Sequence, residues 1–488
     1  MLLSKILSGV IFSEQNFTEK DISDIVYDSR KADGTTMFVC LKGLTVDGHD
    51  YAEKAYENGC RTFMAEHTVD LLPDDCTQII VDDTRKVLAV VSANFFEHPS
   101  DELKIIGITG TKGKTSSAHI VRALIEASGS KCGIIGTVGA YFDDVKIPTV
   151  NTTPESYELQ KIFRIMLDNG CKYCVIEVSS LGIKMHRTDC INFEIGVFTN
   201  LSPDHIGPKE HESFEEYMYW KSVLFKRCKT AVVNVDDPAY EIMLKNCKAD
   251  VITYGLEEAD ITADNVELFK NSKFLGISFD CTENNRQYRI ELPLPGYFNV
   301  YNALASFGVC RALGIDIESI KECIGDIRVN GRAECVYVSD DFDVIIDYAH
   351  NGISMKSMLD TLNSYPHNRI IALYGSVGGR TQLRRKELGL VAGKECDLSI
   401  VTSDDPDFEN PDDIIREIGG YVEQAGGKYI GIADRGEAIE FALGQMQKGD
   451  ILLLAGKGHE QFMKINGKKV PFSEKECIDK FKATRRNQ

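Results

Sequence analysis

A series of compact, mostly apolar runs, each broken off by a small or polar residue, limits how this chain can fold. They are Leu103–Thr109, Cys174–Val178, Ile195–Thr199, Ala231–Val235, Val344–Ile346, Ile370–Tyr374, Leu398–Val401 and Ile451–Leu454. They are too short for helices and too evenly apolar for one wet face, so they predict strands buried on both faces. Helix-period segments follow several of them, which is the pattern of a mostly parallel α/β sheet. The residues that end the runs are Gly110, Ser179, Asn200, Asp236, Asp347, Gly375, Thr402 and Ala455. Ligands of open α/β sheets sit beyond the carboxyl ends of the strands, so polar residues gathered there imply a site.

A chain of 488 residues is past the size at which one core keeps growing, and three domains are expected. Residues 1–97 combine strand-like runs at 36–40 and 78–81 with an amphipathic stretch at 51–58, a small α/β domain. The helical stretch Ile317–Ile327 and the linker Arg328-Val329-Asn330-Gly331-Arg332 then divide 98–330 from 331–488. A net charge of -19 sets nucleic acid aside, because displacing counterions from a phosphate backbone needs a positive footprint. Fifteen cysteines, an odd and scattered set, fit reduced thiols, and Cys171 and Cys174 fit buried structural residues. The N-terminus does not make a signal peptide, and no run of about 18 apolar residues occurs. A cytoplasmic monomer that binds no membrane is expected.

Between a buried strand and the helix-spaced segment 116–127 lies Gly107-Ile108-Thr109-Gly110-Thr111-Lys112-Gly113-Lys114-Thr115. Its glycines let backbone N–H groups turn toward phosphate oxygens, and the helix start adds partial positive charge. Lys114 is placed to neutralise the β and γ phosphates of ATP, and Thr115 to offer a hydroxyl to Mg2+. The strict phosphate-loop pattern fails, because Ile108 stands where it requires glycine. Two further strand-end segments carry chemistry. Glu177 falls in Val175-Ile176-Glu177-Val178-Ser179-Ser180, and His205 closes Thr199-Asn200-Leu201-Ser202-Pro203-Asp204-His205.

Gly-Thr-Lys-Gly-Lys-Thr-Ser, Glu-Val-Ser-Ser and the Asn-Leu-Ser-Pro-Asp-His segment together resemble the Mur ligase family, over nearly the whole chain. Within that family the chain is most similar to the MurE type, which adds the third stem-peptide residue to UDP-N-acetylmuramoyl dipeptide. The resemblance implies a uridine-nucleotide-binding first domain, a central ATP-binding domain of phosphate-loop type and a Rossmann-like C-terminal domain. It implies ATP-dependent ligation through an acyl phosphate. It makes Glu177, His205 and a carbamylated Lys221 the Mg2+ ligands, and it puts Ser29 and the Asn151-Thr152-Thr153-Pro154 loop, with Ser179 and Arg187, on the muramoyl substrate. Asn299, in Gly296-Tyr297-Phe298-Asn299, falls on the adenine side, Arg332 on the phosphates and Asp347 on the ribose. Arg380, Gly456 and Glu460 fall on the amino-acid side. Departures include Leu181, Asn351-Gly352-Ile353-Ser354 and Tyr374-Gly375-Ser376-Val377-Gly378-Gly379-Arg380-Thr381, which suggest a divergent subgroup.

Asp404-Asp405-Pro406-Asp407 stands where the meso-diaminopimelate enzymes of the family have Asp-Asn-Pro-Arg. With Glu409 alongside, these charges predict rejection of a second carboxylate and favour L-lysine, then ornithine. The same residues also fit a polar turn before a helix start, which leaves diaminopimelate or a small amino acid open. Rival expectations are a folylpolyglutamate-type ligase, a paralogous Mur-type ligase with another acceptor, and a phosphate-loop ATPase without ligation.

Overall fold

Each of the eight apolar runs is a strand, and in the last three to be reached almost every side chain is out of water. The computed structural model describes residues 1–43, 46–203, 206–207, 210–379 and 382–486; His205 and Arg380 lie outside them. The chain packs as two units, residues 1–255 with 305–316 and residues 256–304 with 317–488.

The first unit opens with β1 (Ser13–Gln15), β2 (Asp24–Val26), β3 (Thr36–Val39), β4 (Thr62–Ala65) and β5 (Thr77–Ile80), in the order β1-β5-β4-β3-β2. All pairs are parallel apart from β1 with β5. Its larger sheet contains β6 (Lys104–Thr109), β7 (Cys132–Gly136), β8 (Gly139–Phe142), β9 (Val145–Ile147), β10 (Tyr173–Glu177), β11 (Phe193–Phe198), β12 (Cys228–Asn234) and β13 (Asp250–Gly255). The order is β13-β12-β11-β6-β10-β7-β8-β9, parallel as far as β7 and antiparallel beyond. Ile105, Phe163, Ile176, Phe193, Phe198 and Phe225 join one core there, each such side chain contributing about 1.5–3 kcal/mol by burial. The central position of β6 explains why the loop after it is so well supported: strand neighbours flank it on both sides.

The second unit holds the antiparallel strands β14 (Ile261–Lys270), β15 (Leu275–Glu283) and β16 (Arg286–Leu292). Its main sheet is β17 (Glu334–Tyr337), β18 (Phe342–Asp347), β19 (Ile370–Tyr374), β20 (Leu398–Val401), β21 (Tyr429–Gly431) and β22 (Asp450–Ala455), ordered β17-β18-β22-β19-β20-β21. Only the β17 pair in it is antiparallel among the described residues. A hairpin, β23 (Phe462–Ile465) with β24 (Lys468–Pro471), follows. The α/β class and the parallel sheets agree with the sequence reading. All fifteen cysteines are free, and burial pushes the Cys171 and Cys174 thiols up, as inert structural residues require. No helix among the described residues is long and apolar enough to cross a membrane.

Candidate active site

Gly113, with φ +85°, caps the helix Lys114–Ala127 in a backbone conformation that favours glycine. The loop before it is tied to the end of β11: Thr111 N donates to Asn200 O at 2.9 Å, Lys112 N to Asn200 Oδ1 at 2.9 Å, and Thr199 Oγ1 to Lys112 O at 2.7 Å. Two ammonium groups meet on one carbonyl. Lys114 Nζ lies 2.9 Å from Gly110 O, and Lys221 Nζ lies 2.8 Å from the same oxygen. Lys221 comes from the last turn of the helix Phe214–Ser222, which Ser213 caps, and it is only 2% exposed. Two like charges this close repel, so the place is prepared either for an anion or for the loss of one of the charges.

Glu177 sits at the end of β10, 1% exposed. Its Oε2 accepts from Thr115 Oγ1 at 3.0 Å and Thr137 Oγ1 at 3.2 Å, and its Oε1 from Thr137 N at 2.9 Å. A Cβ at Gly136 would collide with that carboxylate, so the glycine makes room for it. Hydroxyl and carboxylate oxygens are the donors that hard cations such as Mg2+ take, so Thr115 and Glu177 fit that ion. A cleft of about 170 Å³ brings Lys114, Asn151, Thr152, Thr153, Ser179, Arg187 and Lys221 together, all singled out from the sequence. It also contains His211, which the sequence reading missed; fully buried, its Nε2 lies 2.8 Å from Ser180 Oγ. Ser29 lies outside this cleft, buried in the opening domain, where its carbonyl accepts from Asn58 Nδ2 at 2.8 Å.

Arg187 is braced by Glu155, a residue no motif marked. Glu155 Oε1 lies 2.8 Å from Arg187 Nη2, and Oε2 lies 3.2 Å from Arg85 Nη1 on the helix Thr84–Phe95. All three side chains are mostly buried, so the carboxylate separates two guanidiniums that would otherwise repel. Glu155→Gln is expected to lower stability by about 2 kcal/mol. Urea unfolding checks this, and an unchanged midpoint would mean that solvent already screens the bridge.

In the second unit Asp347 braces the chain around Arg332, its Oδ2 accepting from Ala333 N at 2.7 Å and its Oδ1 from Ala349 N at 2.8 Å. The Arg332 guanidinium lies 4.8 Å from the Tyr348 ring centre. Asn299 turns its amide to the backbone, Nδ2 donating to Pro295 O at 2.8 Å, and accepts from Asn302 Nδ2 at 2.8 Å. Past β20 and β22 a charged cluster forms. Fully buried Lys457 contacts Asp405 Oδ1 at 2.7 Å, Glu460 Oε2 at 2.6 Å and Asp404 Oδ1 at 3.6 Å. Burial pulls the Lys457 ammonium down, but Asp404, Asp405 and Glu460 outweigh it and leave it above the ordinary lysine value. Gly456, at φ +109°, would place a Cβ 3.0 Å from Asp404 Oδ2.

The charge reading of this turn needs correcting. Asp407 is paired with Lys464 Nζ at 2.6 Å, and the Gly467 amide donates to it at 2.7 Å. Glu409 takes both Arg385 Nη2 at 2.6 Å and the Gly379 amide at 3.0 Å, and the Arg385 bond is the main cause holding its carboxyl at about 2. Neither is an uncompensated anion. Asn410 then caps the helix Pro411–Gln424, with proline in its first turn, so this stretch is also the polar turn and helix start that its sequence allowed.

Three family profiles match in order: the Mur ligase family, catalytic domain, at residues 21–96, the Mur ligase middle domain at 108–310, and the Mur ligase, glutamate ligase domain at 331–458. The chain is 40% identical, over 480 residues and 98% of both chains, to the UDP-N-acetylmuramoyl-L-alanyl-D-glutamate--2,6-diaminopimelate ligase of Caldanaerobacter subterraneus subsp. tengcongensis. It is 39% identical over 485 residues, 98% of this chain and 99% of the relative, to the protein of the same name from Clostridium botulinum. A solved structure of a ligase with that name matches at a TM-score of 0.67 and 27% identity, covering 95% of both chains. The chain belongs to the Mur ligase family and is an ATP-dependent ligase of the MurE type.

Proposed function

We propose that this ligase joins 2,6-diaminopimelate to UDP-N-acetylmuramoyl-L-alanyl-D-glutamate in the cytoplasm, during assembly of the peptidoglycan precursor. The observation that carries the ligase chemistry is the pair Lys114 and Lys221 on Gly110 O, beside the Thr115–Glu177 contact. There Lys114 and the loop amides hold a triphosphate, and Asn299, Arg332 and Asp347 are read as ATP-binding residues. Thr115, Glu177, His205 and a carbamylated Lys221 would hold Mg2+, which would supply charge neutralisation at the phosphates. A second cation at Lys221 is hard to accommodate beside Lys114, and a carbamate would replace it with an anion.

Asn151, Thr152, Thr153, Ser179 and Arg187 hold the dipeptide end of the acceptor, and Ser29 the uridine nucleotide. A carboxylate oxygen of the acceptor attacks the γ-phosphorus, ADP leaves, and the acyl phosphate forms. The amino nitrogen then attacks the acyl carbon, phosphate leaves, and the nitrogen loses a proton. Asp404, Asp405, Gly456, Glu460 and Arg380 form the amino-acid side, with residues 1–97, 98–330 and 331–488 as the acceptor, ATP and amino-acid domains.

Two things support diaminopimelate over lysine. The relatives carry that name over the full length of the chain, and the pairing of Asp407 and Glu409 removes the charge argument against a second carboxylate. With ATP, Mg2+ and the UDP-muramoyl dipeptide, phosphate release is expected with 2,6-diaminopimelate and little with lysine, ornithine or alanine. Release with lysine and none with diaminopimelate overturns the assignment.

A further inference from the structure

We infer that Lys464 is a specificity residue, and that its ion pair with Asp407 receives the far amino-acid end of the incoming substrate, ammonium and carboxylate together. The inference rests on diaminopimelate as the substrate and assigns a residue to its selection.

Lys464 lies on β23 next to the buried cluster. Its backbone N donates to Asp405 Oδ1 at 2.9 Å, the same oxygen that takes Lys457 Nζ at 2.7 Å. Strand alternation fixes its direction. Met463 and Ile465 line a cavity on one side of the hairpin, which Asp407 also borders. Phe462, on the face that Lys464 shares, lies 5.5 Å from Lys457 Nζ. So the Lys464 side chain leaves the strand on the face that Phe462 shares, and its Nζ reaches Asp407 Oδ2 at 2.6 Å.

Asp407 is held against that face by its backbone. Its N donates to Lys464 O at 2.9 Å and its O accepts from Asn466 N at 2.8 Å, with Asp407 itself at φ +51°, a conformation aspartate tolerates better than most residues. The turn and the hairpin therefore deliver one cation and one anion to a fixed place. The pair is still reachable, since the Lys464 side chain is 46% exposed and that of Asp407 19%.

The chemistry separates the candidates. The far end of diaminopimelate carries an ammonium and a carboxylate, which match Asp407 and Lys464 one for one. The far end of lysine or ornithine carries only an ammonium, which gains Asp407 but meets the Lys464 cation uncompensated. A neutral small residue reaches neither. Lys464 thus supplies, from the hairpin, the positive charge that the turn lacks at position 407.

The test uses the full-length protein with ATP, Mg2+ and the UDP-muramoyl dipeptide, comparing wild type with Lys464→Met, Lys464→Gln and Lys464→Arg. KM for diaminopimelate is expected to rise about tenfold or more in Lys464→Met and Lys464→Gln, to stay near wild type in Lys464→Arg, and KM for ATP to hold in all three. The preference for diaminopimelate over lysine should fall by the same factor. If wild type uses diaminopimelate and both neutral variants keep its KM within about twofold, the role of Lys464 is overturned while the substrate assignment stands. If wild type uses lysine and not diaminopimelate, both are overturned. A variant that loses ATP affinity as well acts through the fold, and that result also counts against a specificity role.

Discussion

Lys114→Ala is expected to slow amide formation by about three orders of magnitude and to leave the thermal unfolding of the protein nearly unchanged. The two halves of that expectation come from one arrangement. Lys114 Nζ reaches Gly110 O at 2.9 Å and Thr111 O at 3.0 Å, the carbonyls of its own loop, while Lys221 Nζ takes Gly110 O from the other side. Without nucleotide, the Lys114 ammonium donates to carbonyls of its own loop, so the fold has little to lose. With the triphosphate in place, the same ammonium faces charge that grows as the γ-phosphoryl group leaves, and its loss is felt there. Phosphate release, ADP formation and a melting curve on the same sample separate the two effects. Activity within about tenfold of wild type would place the phosphate grip elsewhere, and with it the reading of the loop.

The strands were legible because burial on both faces writes itself as continuous apolar sequence, and β19 and β20 were placed to the residue at both ends. The strand β16 was not, because it alternates. In β16 the positions Tyr288, Ile290 and Leu292 point inward between exposed neighbours, a weak signal in a chain of mixed composition. The cleft was partly legible: motif residues far apart in sequence line one cavity because Lys114, Ser179, Arg187 and Lys221 follow parallel strands of a single sheet, and residues 151–153 follow its antiparallel edge. What could not be seen is which charges are already paired. Asp407 and Lys464 are far apart in the chain, and a sequence shows an aspartate in the same way whether a lysine neutralises it or not. Lys457 stands between Gly456 and Glu460 with no role in the sequence reading, and only its burial among three carboxylates marks it.

Arg435→Ala is expected to destabilise the second unit by about 3–5 kcal/mol, the largest stability effect in this structure. Arg435 opens the helix Arg435–Gln445 with a side chain fully out of water. Its Nε and Nη2 reach Glu474 Oε1 at 3.0 and 2.7 Å, its Nη1 donates to Ser403 O at 2.9 Å and its Nη2 to Ala455 O at 2.8 Å. Those two carbonyls stand at the carboxyl ends of β20 and β22, so one guanidinium sets the spacing of the strand ends that carry Asp404 and Gly456. Burial already raises the Glu474 carboxyl above its ordinary value, and Arg435 is what opposes it. A raised folded-state value means that the folded protein favours the protonated acid, so stability falls as pH rises from the unfolded carboxyl range through that value. Removing Arg435 raises the value further, and the deficit of the variant should therefore be larger at alkaline than at mildly acidic pH. Arg435→Met combined with Glu474→Leu should recover most of the loss, because no buried charge is then left alone. Urea unfolding at two pH values, for the single and the double variant, decides the matter. A deficit that ignores pH and survives the double change would make Arg435 a matter of packing, and the spacing of the two strand ends would then need another cause.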